Sequence, residues 1–79
     1  MEEMIIQELR RKKLDVGHLW RFSEWIVFRN NLLSKERLRF DECIENLIRQ
    51  GVLEIVNYCE DNKDLRLTQL GYDVLYGAD

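Results

Sequence analysis

The side chains able to do chemistry are few and far apart. His18 is the only histidine, and Cys43 and Cys59 are the only cysteines. A zinc site would need all three to converge with a carboxylate, and their spacing matches no ligand template. His18, beside Gly17, reads as a turn residue. Cys43 reads as a small buried hydrophobe on a helix, and Cys59 as an ordinary thiol near a hairpin tip. There is no Gly-rich phosphate loop, nucleophile elbow or paired-carboxylate motif. Fifteen acids scattered among twelve bases have the pattern of a solvated surface. The expectation is therefore a non-enzyme without cofactor or metal. What remains is positive charge. Lys35, Arg37 and Arg39 recur at alternate positions, and Arg10 to Lys13 form a basic run. Two such clusters, if they converge, can straddle a nucleic-acid backbone, because phosphate contacts supply most non-specific affinity. Solvated helix ends and loops account for the same residues equally well.

Composition narrows the class. A chain of 79 residues is expected to form one domain, spanning 1–79. Its hydrophobic fraction of 46% suffices for one small core, with a thin stability margin. The charged fraction of 34% mixes both signs and leaves a net charge of −3, which argues against a histone-like positive surface. The start, MEEMIIQELRRKK, carries acid where a signal peptide needs base, and its apolar run is too short to enter a membrane. A cytoplasmic protein without membrane contact is expected.

These side chains must be positioned by elements whose periods are readable. Glu2 to Lys13 predicts a first helix, with Met4, Ile5, Leu9 and Ile6 as its apolar stripe. Its acids at the start and bases at the end complement the helix dipole. Leu14 and Val16 suggest a short extended piece. A second helix is expected from Leu19 to Asn30, with Leu19, Phe22 and Ile26 on one face and Trp25 and Phe28 widening it. Trp20, Phe22, Trp25 and Phe28 crowd this stretch, either as core filler or with one tryptophan at a subunit contact. Residues 42 to 50 are helical, with Phe40, Ile44, Leu47 and Ile48 on one face. Ser34 or Asp41 caps that helix, giving a long or a short version. Gly51 stops it. The period then changes to two: Leu53 and Ile55 share one side, and Leu65 and Leu67 alternate with Arg66 and Thr68. Cys59 to Asp64 is polar, as a hairpin tip should be. Thr68 caps a closing helix with Leu70 and Val74 stacked one turn apart, Leu75 alongside, and Gly77 at its end. Gly71, lacking a side chain, lets this helix lie against the hairpin.

The phrases LIRQGVLEIV and LRLTQLG, in this order of elements, resemble the second half of a winged helix-turn-helix domain. The resemblance implies an α+β fold: a small winged helix with a three-helix core, a C-terminal β-hairpin wing and a short closing helix. It also implies a double-stranded DNA partner and a transcriptional regulator, with a homodimer possible. The third helix, Asp41 to Gln50, would then enter the major groove with Glu42, Glu45, Asn46 and Arg49 outward. Asn46 suits adenine and Arg49 suits guanine, while Lys35, Arg37 and Arg39 would meet phosphates. Lys63 is the one base in the wing tip Glu60–Asp64, which carries three acids and so departs from the usual positive wing. The acidic wing and the two helix glutamates keep a second expectation open. That is a winged-helix protein-interaction module without DNA binding, working through an exposed aromatic or apolar patch around Trp20, Trp25, Tyr72 or Tyr76.

Overall fold

The computed structural model describes residues 1–59 and 62–77. Within them the elements are α1 Glu2–Arg11, β1 Leu19–Trp20, α2 Phe22–Asn30, α3 Ser34–Arg49, β2 Leu53–Cys59, β3 Asn62–Leu67 and α4 Gln69–Tyr76. This is a small α+β domain in which four helices pack with one three-stranded antiparallel sheet, ordered β1-β3-β2.

Helix α1 buries Ile5 and Leu9, one turn apart, while Met4 stays on the open side. It ends earlier than its charge pattern implies. Lys13 lies outside the helix in a left-handed conformation (φ 55), and the amides of Lys13 and Leu14 donate back to the carbonyls of Arg10 and Leu9. Leu14 then turns inward and is buried. This double back-bond is the Schellman stop, which satisfies carbonyls that the helix itself leaves open.

The expected second helix begins three residues late. Leu19 and Trp20 form β1, paired with Arg66 and Leu65 of β3, and the chain becomes helical only at Phe22. Two features decide this. As a strand residue, Trp20 faces inward beside Leu65 and is fully buried, edge-on to Phe28 and Phe40. Asp64 of β3 supplies the acceptor for the Phe22 amide at 2.9 Å, a cap that Arg21 cannot offer from its own side chain. The extended piece is therefore Leu19–Trp20, not Leu14 and Val16. Neither tryptophan serves a subunit contact by exposure, since Trp20 and Trp25 are both core residues.

Helix α3 adopts the longer of the two expected versions. Ser34 is its first helical residue and Leu33 occupies the cap position, where Glu36 Oε1 accepts from the Leu33 amide at 3.1 Å. Phe40, Cys43, Ile44 and Leu47 form its buried face. Gly51 (φ 84) closes it with a second Schellman stop: the amides of Gly51 and Val52 donate to the carbonyls of Ile48 and Leu47.

The hairpin pairs Leu53 with Leu67, Glu54 with Arg66 and Ile55 with Leu65, so the leucines face the core and the ion pair faces out. A bulge interrupts the register between Val56 and Cys59, with Asn57 left-handed (φ 51). The expected tip Cys59–Asp64 is narrower than its polarity suggests: Cys59 and Asn62–Asp64 belong to strands, and Glu60 and Asp61 lie outside the described residues.

Helix α4 is capped by Thr68, whose hydroxyl accepts from the Gly71 amide at 2.9 Å and donates to the Val52 carbonyl at 3.0 Å. A Cβ on Gly71 would sit 2.1 Å from the Val52 carbonyl oxygen, so this helix approaches the α3–β2 junction as closely as backbone allows. The approach rotates α4 relative to its hydrophobic pattern. Gly71 and Leu75 are buried, whereas Leu70 and Val74 face solvent. At its far end Arg10 donates to the Leu75 carbonyl, and the Tyr76 hydroxyl donates to the Leu14 carbonyl at 2.8 Å. Among the described residues, fifteen buried apolar side chains from α1, β1, α2, α3, the hairpin, α4 and the turns between form one core cluster.

Candidate nucleic-acid interface

Helical geometry sorts the basic residues of α3. At about 100° per residue, Lys35, Arg39, Glu42, Asn46 and Arg49 fall on one stripe, opposite Phe40, Ile44 and Leu47. All five are exposed. Arg37 does not belong with them. Alternate residues on a helix lie on nearly opposite sides, and Arg37 is turned towards α2, half-buried. Its Nη2 donates to the Asn30 carbonyl at 3.1 Å, and its Nε is buried. It closes the C-terminal end of α2 and is a structural residue, which removes it from the candidate phosphate contacts.

The other candidates are placed as follows. Lys35 and Arg39 have no acidic partner among the described residues. Arg49 donates to Asn46 Oδ1 at 3.3 Å, so the two residues suited to base edges hold one another side by side. Lys63 is not at a tip. It is half-buried on β3, and its carbonyl accepts from Trp25 Nε1 at 2.9 Å. It stands on the cleft side of α3, with Asp41 and Glu45.

Three of the four bases in the run Arg10–Lys13 are engaged by the fold, and Lys13 is exposed. Arg11 pairs with Glu8 at 2.8 Å, Lys12 with Glu24 at 2.8 Å, and Arg10 binds the Leu75 carbonyl. The Arg11 hydrogen bond holds the Glu8 carboxyl below the usual glutamate range. Arg29 and Asp41 join α2 to α3 through two bonds, at 2.8 and 2.9 Å, which raises the arginine further above its ordinary value. Asp64 is held below the aspartate range, first by the Phe22 amide and then by Asn57 Nδ2.

Three further residues, Arg21, Trp25 and Asp64, take roles here that no local pattern in the sequence shows. Arg21, exposed at the start of α2, lies close enough to Asp64 to favour its carboxylate form. Asp64 and the Trp25 indole together fasten the hairpin to α2. Nothing in the local sequence marks them, because both bonds depend on where α2 begins.

The surface patch expected for a protein partner is also redistributed. Tyr72 is half-buried against Tyr76, whose hydroxyl is already bonded. The most exposed large apolar residues are Leu38 at 67%, Tyr58 at 66% and Leu33 at 65%. Among the described residues no group of three or more His, Cys, Asp or Glu converges, Cys43 is buried and Cys59 exposed, and no helix is long and apolar enough to cross a membrane. Burial pushes the Cys43 thiol up. No protein-family model, curated protein or solved structure matches the chain.

Proposed function

We propose that the protein is a winged-helix DNA-binding protein, a transcriptional regulator that reads duplex DNA with the outer stripe of α3. One observation carries this reading. Arg10, Arg11, Lys12, Arg29, Arg37 and Arg66 are engaged within the fold, whereas Lys35 and Arg39 share one exposed helical stripe without acidic partners among the described residues, in line with Asn46 and Arg49. The element order, with β1 pairing back to the hairpin and the hairpin following the third helix, supports the winged-helix resemblance. In this reading Lys35 and Arg39 contact phosphate, and Asn46 and Arg49 exchange their mutual bond for base edges. Glu42 shares the stripe and disfavours neighbouring phosphates. A homodimer would present two such faces.

The test is a mobility shift on random and upstream duplex DNA. Lys35→Ala combined with Arg39→Ala should weaken binding about tenfold or more at low salt, with the fold unchanged by circular dichroism. Arg37→Ala should instead lower stability by about 0.5–1.5 kcal/mol, the usual worth of one hydrogen bond, and leave DNA affinity of the folded protein near wild type. Absence of binding to either DNA at 50 mM salt (about the lowest useful ionic strength) refutes the reading.

A second reading, an interaction module without DNA binding, is favoured by Leu33 and Leu38 near the start of α3. Two leucines this open, next to Glu42 and Glu45 on the following turns, fit a protein partner better than phosphate. Leu33→Ser with Leu38→Ser should abolish partner capture in that case and leave DNA binding intact in the first.

A further inference from the structure

A cleft of about 490 Å³ opens between α2, α3 and β3. Its floor is aromatic. Trp25 stacks on Phe40, with centroids 6.1 Å apart and planes at 27°, and Phe22 meets Trp25 edge-on at 4.9 Å. Its rim is charged. Arg29 and Asp41 satisfy one another through their two-point bond. Glu45 and Lys63 line the same cleft, and neither has an ion pair among the described residues. Among the described residues, one carboxylate and one ammonium without ion pairs thus line a cleft with an apolar floor.

We infer that this cleft binds a small aromatic molecule bearing both an ammonium and a carboxylate group. Its ring lies against Phe22 and Trp25, its ammonium meets Glu45 and its carboxylate meets Lys63. The chemistry follows from what each simpler ligand would leave behind. An aromatic anion would pair with Lys63 and leave Glu45 unmatched, and an aromatic cation would pair with Glu45 and leave Lys63 unmatched. A neutral ring would desolvate both open charges and pair neither, which is unfavourable. The volume is within the range of small-molecule sites and accommodates one ring with a short charged arm. Phe40 and Trp25 are only 1% and 7% exposed, so much of the floor is already closed by its own packing. Affinity is therefore modest, with Kd about 1 mM for a ligand of roughly a dozen heavy atoms. Selectivity comes from the two charges.

The site includes α3, the element that carries the candidate DNA interface, and is lined by Arg29 and Asp41 of the bridge and by Lys63, whose carbonyl anchors Trp25. An effector role rests on the proposed function; binding itself does not. The test is accordingly run without DNA. Trp25 Nε1–H, bonded to the Lys63 carbonyl, gives one of two indole signals in a proton–nitrogen correlation spectrum, assigned through Trp25→Phe. Trp20, fully buried and not part of the cleft, gives the internal control. With L-phenylalanine as probe, the Trp25 signal should move saturably and the Trp20 signal should not. Phenylacetate and phenethylamine should bind about tenfold more weakly. Glu45→Gln and Lys63→Met should each weaken L-phenylalanine about fivefold or more. No saturable movement up to about 10 mM, about ten times the expected Kd, overturns the site. Equal binding of the three probes, or unchanged binding in either variant, overturns the ligand class. Adding DNA to the saturated protein then asks separately whether occupancy alters DNA affinity.

Discussion

Lys13 and Gly51 occupy the same place in two copies of one motif, the left-handed residue just beyond a helix, at φ 55 and φ 84. In each copy the next residue, Leu14 or Val52, is a buried apolar side chain that packs under the helix end. The backbone demand is alike but the residues meet it unequally, since a side chain in the left-handed region costs about 1–2 kcal/mol and glycine escapes this. Lys13→Gly should therefore raise stability by about 0.5–1 kcal/mol in urea denaturation, and Gly51→Ala should lower it by about 1 kcal/mol or more. Gly71 answers a different demand. It is helical, and its constraint is the Val52 carbonyl that an added Cβ would strike at 2.1 Å. Gly71→Ala has to push α4 away from the hairpin, so its loss of stability should exceed that of Gly51→Ala in the same assay.

At the scale of elements, the hairpin and α2 behave as one unit. Asp64 accepts from the Phe22 amide and from Asn57, and the Lys63 carbonyl holds the Trp25 indole. The first two bonds favour the Asp64 carboxylate and lower its pKa. A group with a depressed folded pKa contributes stability above its unfolded value, near 3.9, and loses it as pH falls through the folded value. Asp64→Ala should lower the melting temperature by a few degrees at pH 7. The difference from wild type should shrink as pH falls from about 4 through the lower folded value, below which Asp64 is protonated in the wild type as well. Periodicity made α1, the Gly51 stop, the hairpin and the α4 cap legible in the sequence, since each rests on contacts between near neighbours. Strand β1 was not legible. Two residues carry too little period, and their partners, Leu65 and Arg66, lie far along the chain. The same long-range bond that starts α2 at Phe22 hid the roles of Asp64 and Trp25. The rotation of α4 escaped for a related reason: Leu70 and Val74 have the right spacing for a core, but Gly71 sets the closer approach. For the candidate interface, Lys35, Arg39, Asn46 and Arg49 keep the exposure expected of them. Arg37 was misgrouped because its place on α3 depends on where that helix starts.

For the whole molecule, charge separates by use more than by amount. The net charge is −3 and still leaves a stripe on α3 with three cations, Lys35, Arg39 and Arg49, against Glu42. If Lys35 and Arg39 each meet a phosphate, affinity should fall about 12-fold per monomer between 50 and 200 mM salt, and about 150-fold for a dimer using both stripes. A filter-binding salt series distinguishes these slopes, and sedimentation equilibrium gives the oligomeric state independently. The seam between α1 and α4 has a temporal meaning as well. Arg10 binds Leu75 across 65 positions and Tyr76 binds Leu14 across 62, and Leu75 shares the core with Ile5 and Leu9. Contacts this distant along the chain form only after most of the closure entropy has been met. A nascent chain emerging from the ribosome would thus carry α1 half-covered until α4 has been made and docks to seal it.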